Sequence, residues 1–164
     1  VDHLDLAISA PSQNLVGLEK RREYVVEQRD IVRFRAAIDE TFPSSSDLQQ
    51  ASEDGALGPV APPLFCQVFT FEETALAELP QDGSPSELDI PGSGVRSVGG
   101  SSDYTIFRRA ILHEKIIVRS SLKDIYAKRG RSGPLFFIVI ETQFDGEDGA
   151  PIAIEKATYI RRPY

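Results

Sequence analysis

Hydrophobic and polar residues change their period partway along this chain, from helical spacing to strand alternation. Arg21–Val26 predicts a short strand. Within Arg29–Ile38, the residues Ile31, Phe34 and Ile38 fall on one face at helical spacing and predict a helix that Pro43 ends. The serines and acids of Ser44–Gly58 predict a loop. Pro62 and Pro63 then introduce a second, stronger helix, in which Leu64, Phe65, Val68, Phe69, Leu76 and Leu79 form a stripe wide enough for burial. Pro80, Gly83 and Pro85 stop it. From Gln81 to Ser102 the chain is rich in glycine, proline and serine without any period, which predicts a long surface loop near a binding cleft.

Strand patterning begins at Asp103. Tyr104–Arg109, Glu114–Tyr126, Gly133–Phe144 and Ile152–Arg161 are separated by turn chemistry at Gly130–Gly133 and Asp145–Gly149, so consecutive antiparallel strands are expected. In the third of these, Leu135, Phe137 and Val139 share one face while Phe136, Ile138 and Ile140 share the other, so both faces are apolar. Each large apolar side chain buried contributes roughly 1.5–3 kcal/mol. A single central helix covers one face of a sheet only, and the other calls for a partner subunit, a second copy or internal loops. The element order predicts an α+β chain of the hot-dog type, a curved antiparallel sheet wrapped around a central helix.

Composition narrows the function classes. At 164 residues, 41% hydrophobic and 26% charged, the chain suits one globular domain, read as residues 14–164 after an amino-terminal extension over 1–13. No apolar run approaches the roughly 20 residues a membrane-spanning helix needs. The single cysteine, Cys66, has no internal disulfide partner, and no basic-then-apolar leader is visible, so a reducing cytoplasm is expected; processing before Val1 would hide a leader. The net charge of −7 speaks against nonspecific nucleic-acid binding. Residues 1–95 carry 6 basic and 17 acidic side chains, a net of −11, whereas residues 96–164 carry 12 basic and 8 acidic, a net of +4. The carboxyl-terminal part is therefore the one expected to receive an anionic, nucleotide-bearing ligand.

Several stretches together carry a family resemblance. Pro62–Phe65 (PPLF), Gly99–Tyr104 (GGSSDY), the run IYAKRGRSGPLFFIVIETQFDGEDG and Ala157–Arg162 (ATYIRR) resemble, in their order and spacing, the amino-terminal domain of MaoC-like dehydratases, also called FAS1-like dehydratase domains. The resemblance covers roughly residues 14–163. It implies paired hot-dog domains acting as an (R)-specific 2-enoyl-CoA hydratase or hydroxyacyl-thioester dehydratase. The catalytic half of such a pair carries an Asp and a His in a motif of the form A-x-G-D-x-N-P-x-H after a short helix. Adding water across a double bond conjugated to a thioester calls for such a pair to hold and deprotonate the water. A backbone N–H at the amino end of the central helix stabilises charge on the thioester oxygen.

Against that motif the chain reads Ala37-Ile38-Asp39-Glu40-Thr41-Phe42-Pro43-Ser44-Ser45. Glu40 stands where the Asp would be, Phe42 replaces the Asn, and Ser45 replaces the His. A serine hydroxyl cannot take the role of an imidazole, and neither His3 nor His113 lies near in sequence. The resemblance thus implies a noncatalytic subunit or domain. It would shape the acyl pocket and help bind coenzyme A for a bulky acyl group, steroid side-chain or long fatty acyl, while a catalytic MaoC-like subunit supplies Asp and His in a heterodimer or heterotetramer. Coenzyme A enters as part of the acyl-CoA substrate, and no separate cofactor is expected.

Lys128, Arg129 and Arg131, near the turn between two long strands, are the candidate coenzyme A phosphate contacts, with a polar hairpin tip as the plain alternative. His113 at a strand start reads as structural, and Cys66 beside Phe65 as a core residue. Asp124 and Asp145 read as turn or surface carboxylates. No metal-ligand spacing, phosphate-binding glycine loop or nucleophile elbow is present. A self-contained homodimeric thioesterase or acyl-CoA binder is the other reading, with Glu40, Asp39, Glu72 or Glu73 as its carboxylate.

Overall fold

Alternation along β1 (Glu19–Val25) turns Arg22 and Tyr24 towards the interior and leaves Glu23 and Val25 exposed. The computed structural model describes residues 13–40, 60–71, 74–79, 83, 88, 90, 96–131 and 133–162. Helix α1 (Gln28–Ala37) follows β1 and buries Ile31 and Arg35; of the predicted inner face, Ile31 is buried and Phe34 half-buried, whereas Ile38, just past the helix end, is exposed. Asp39 closes it with a left-handed backbone, φ 56°.

The second helix is shorter than the sequence stripe predicts. Pro63–Phe69 winds as a 3₁₀ helix, and a separate 3₁₀ turn, Leu76–Glu78, follows an extended Ala75. The first piece buries Phe65, Cys66 and Phe69, while Leu64, Val68 and Leu76 of the predicted stripe are exposed, Leu76 at 87%. A 3₁₀ turn needs fewer residues per turn, so seven residues suffice to present one buried ridge. Phe65 meets Phe34 of α1 edge-on at 5.8 Å and Phe69 at 5.2 Å, and Phe69 stacks on Tyr24 of β1 at 5.0 Å.

Four further strands complete one antiparallel sheet: β2 (Arg96–Ile106), β3 (Lys115–Gly130), β4 (Gly133–Gly146) and β5 (Pro151–Arg162), in the order β1-β3-β4-β5-β2. Register shifts at Leu122/Asp124, Phe144/Asp145 and Gly99/Ser101 interrupt the ladders, and such bulges bend and twist a sheet. The result is the curved five-stranded sheet around helical segments of the hot-dog fold. β2 corrects the sequence expectation: it starts at Arg96, so Arg96–Ser102 is strand where a loop is predicted. Gly100 sits so close to β5 that a Cβ there would lie 2.9 Å from the Thr158 carbonyl oxygen, which explains a glycine-rich strand without apolar alternation.

Inward residues form two apolar clusters. One joins Val26, Ile31, Phe65, Phe69, Val118 and Phe144; the other joins Leu88, Ile90, Leu122, Ile125, Ile138 and Ile140. Between them runs a polar row. Ser120, Thr142, Glu155 and Tyr104 are successive register partners across β3, β4, β5 and β2. On the outer face of β4, Phe137 stacks flat on Tyr126 at 5.0 Å with the Lys128 ammonium over both rings, so the sheet's own neighbours cover part of that face.

Candidate functional site

The position read as a degenerate dyad is a structural junction. Glu40 is exposed and its carboxylate pairs with Arg35 at 3.4 Å; the buried Arg35 guanidinium donates to the Val60 carbonyl at 3.0 Å, tying α1 to the segment that precedes the 3₁₀ helix. The Glu40 backbone N–H also donates to the Arg35 carbonyl at 2.9 Å. Ser45, Glu72, Glu73 and His3 lie outside the described residues.

The three basic candidates do not converge. Lys128 and Arg129 belong to β3 rather than to the turn, and as neighbours on a strand they project to opposite faces. Lys128 lies over the Tyr126 and Phe137 rings at 5.4 and 5.1 Å, and Arg131 occupies the exposed turn. His113 has φ 67° and donates its backbone N–H to the Val26 carbonyl, the behaviour of a turn residue. Burial pushes the Cys66 thiol up to about 12, which leaves it protonated and without nucleophilic character at neutral pH. Asp145 is buried and paired with Arg119, while Asp124 is exposed beside a bulge. Among the described residues no cluster of His, Cys, Asp or Glu could hold a metal ion, and no helix is long and apolar enough to cross a membrane.

A different constellation does converge. Where the 3₁₀ helix ends against β2 and β5, a cavity of about 350 Å³ is lined by Gln67, Thr70, Phe71, the Gly99–Ser102 stretch, Glu155, Ala157 and Tyr159. Glu155, only 4% exposed, is the one charged residue among the described walls. The Thr70 hydroxyl donates to Glu155 Oε2 at 3.3 Å, and the Ser102 hydroxyl donates to Oε1. The Tyr104 phenol lies beside the same carboxylate. Burial first, and the Glu155 charge second, push its titration upward.

The polar row continues to β1. Arg22, 7% exposed, donates from Nη2 to Ser120 Oγ at 3.1 Å, and the Ser120 and Thr142 hydroxyls are 3.1 Å apart. Sequence reasoning missed Glu155 because its partners are 53 and 85 residues away. The local signal is faint but present: along the inward face of β5, Ala153 and Ala157 flank Glu155, so small residues leave room around a single carboxylate.

Comparisons with known proteins give the same architecture. Residues 14–155 match the family profile described as the FAS1-like, dehydratase domain region. No curated protein sequence matches. Among solved structures, a chain of the ChsH1-ChsH2 complex from Mycobacterium tuberculosis superimposes with a TM-score of 0.70 at 21% identity, over 99% of this chain and 98% of that one. The R-hydratase PhaJ1 from Pseudomonas aeruginosa gives 0.63 at 15% identity, over 91% of this chain and 83% of its own. The truncated HadBC complex, a 3R-hydroxyacyl-ACP dehydratase from Mycobacterium tuberculosis, gives 0.63 at 16% identity, over 89% of this chain and 96% of that one. At these identities the likeness is one of fold.

Proposed function

The chain belongs to the FAS1-like dehydratase domain family, and from that premise we propose that it is the noncatalytic half of an (R)-specific 2-enoyl-CoA hydratase. It forms the acyl wall of a site whose Asp and His come from a MaoC-like partner. The observation that carries this reading is the state of the dyad position. Glu40, in place of the Asp, is an exposed carboxylate held in an ion pair with Arg35, and the sequence offers Ser45 in place of the His. A general base must reach the proton it removes, and a carboxylate engaged in a structural link is poorly placed to do so.

Two further features support the assignment. The inner helical segment spans only Pro63–Phe69, and a cavity of about 350 Å³ opens at its end, within the usual range of small-molecule pockets. That space suits a bulky acyl group such as a steroid side chain or a long fatty acyl chain. β2 lies at one edge of the sheet, and an edge strand is a ready template for a second subunit. The complexes ChsH1-ChsH2 and HadBC are each built of two different components. In the assembly proposed here, the partner adds water across the double bond while this chain positions the acyl tail, with coenzyme A carried as part of the substrate. Arg131 at the exposed hairpin turn and Lys128 on the outer face of β3 are among the exposed basic residues available to its phosphates.

The test is hydration of long-chain and steroid-side-chain enoyl-CoA thioesters by the isolated chain and by a mixture with a MaoC-like protein encoded beside it. Turnover in the mixture alone is the expected result. Turnover by the isolated chain overturns the proposal.

A further inference from the structure

Arg22 turns a guanidinium into the interior between the two apolar clusters, and among the described side chains no carboxylate pairs with it. It is 7% exposed, and its Nη2 donates to a neutral hydroxyl, Ser120 Oγ, at 3.1 Å. Nε and Nη1 are both shielded from solvent and meet no acceptor. We propose that Arg22 holds a small monovalent anion, with chloride as the occupant. The inference stands apart from the acyl reading above and from the division of catalytic roles.

A guanidinium does not deprotonate in a folded protein, so burial cannot be relieved by neutralising it. Taking such an ion out of water is strongly unfavourable unless a counter-charge and hydrogen-bond acceptors meet it. The hydroxyls of Ser120 and Thr142, 3.1 Å apart, supply acceptor oxygens but no charge. Glu155, the carboxylate at the far end of the polar row, stands on β5, and β3 and β4 lie between it and β1. Neighbouring strands are about 4.8 Å apart, which puts roughly 14 Å of sheet between the two backbones. Glu155 also accepts from Thr70 and Ser102, on its own side of the row. A water molecule would meet the free N–H groups and leave the charge unbalanced. A dianion such as sulfate would reverse the charge and calls for more donors than one guanidinium offers. Size limits the ion as well, since Nε and Nη1 are sealed from solvent and Val118, the register partner of Arg22, is wholly buried. A small anion enclosed in this way is taken up as the chain folds, so its binding is read as stability.

The test follows thermal unfolding of the full chain and of Arg22→Met at constant ionic strength while gluconate is exchanged for chloride. Methionine keeps a long unbranched side chain without the charge, and general salt effects cancel between the two proteins. Once chloride exceeds its Kd about tenfold, the Tm of the parent relative to Arg22→Met is expected to rise by about 3–6 °C over its value in gluconate. Crystals of the parent grown in bromide should show an anomalous-scattering peak within hydrogen-bonding reach of Nε or Nη1. That measurement needs no variant, so it remains decisive if Arg22→Met fails to fold. A Tm difference that is the same in chloride and gluconate overturns the proposal, because chloride then acts on both proteins alike as an adventitious ion only. Density beside Arg22 without anomalous signal assigns water there and overturns it too. Stabilisation of the parent by formate with none by chloride assigns a carboxylate and overturns the halide.

Discussion

Phe65 and Leu76 sit on one predicted apolar stripe, yet the fold treats them oppositely, and replacing each with alanine separates the two descriptions. Phe65 is 1% exposed and wedged between Phe34 and Phe69 at ring separations of 5.8 and 5.2 Å, so its truncation empties a space lined by two other aromatic rings. Large-to-small changes of this kind cost about 3–5 kcal/mol, the sum of lost transfer energy and the residual cavity. For a domain of this size each kcal/mol lowers Tm by about 2–4 °C, which gives a fall of about 6–20 °C. Leu76 is 87% exposed, and its alanine variant should stay within about 0.5 kcal/mol of the parent. Were the inner segment one continuous buried helix, Leu76→Ala would instead cost about 2–5 kcal/mol. Urea unfolding followed by far-UV circular dichroism reads both numbers. Comparable losses in the two variants would refute the short 3₁₀ segment and the open cavity at its end.

Other consequences follow from single contacts. Arg35→Ala removes the charged donor to the Val60 carbonyl and should cost about 1.5–3 kcal/mol in urea unfolding, whereas Glu40→Ala, at the exposed end of the same link, should cost under about 1 kcal/mol. Gly100→Ala must shift β2 away from the Thr158 carbonyl and should cost about 1–3 kcal/mol, while Gly99→Ala, whose added Cβ meets nothing within 4 Å, should be close to neutral by the same measurement. The folded core holds the Cys66 thiol neutral with its titration raised from 9.0 to about 12, so the stability this group contributes is complete below pH 9.0 and lost as pH rises towards 12. Iodoacetamide should accordingly label Cys66 slowly at pH 9 in the native protein and quickly in urea, and fast native labelling would contradict its place in the core.

Periodicity made much of this fold legible in advance. Ile31 and Phe34 mark the buried side of α1, and the alternation of Phe136, Ile138 and Ile140 marks the inner face of β4. Two elements escaped for physical reasons. Arg96–Ser102 owes its strand to backbone pairing with β5 and to the close approach of Gly100, neither of which leaves an apolar signature. Over Pro63–Phe69 the 3₁₀ winding buries Phe65, Cys66 and Phe69 but leaves Leu64 and Val68 of the predicted stripe exposed, and the exposure of Leu76 shows that the buried segment has ended. Glu40 was legible in the sequence as a candidate position, although its ion pair with Arg35 was not. Glu155 stayed hidden because a carboxylate on a strand becomes a site only through what folding brings to it, here Thr70, Ser102 and Tyr104.

In the assembly proposed above, the chemistry belongs to the partner and the acyl wall to this chain. This division is tested most directly by the hydration rate of the reconstituted complex carrying Glu40→Ala, set beside a complex whose partner lacks its Asp. A rate within about twofold of the parent is expected for Glu40→Ala, since no barrier-lowering contact is lost, and no measurable hydration when the partner's Asp is removed. A large loss with Glu40→Ala at unchanged stability, or full activity without the partner's Asp, would contradict it.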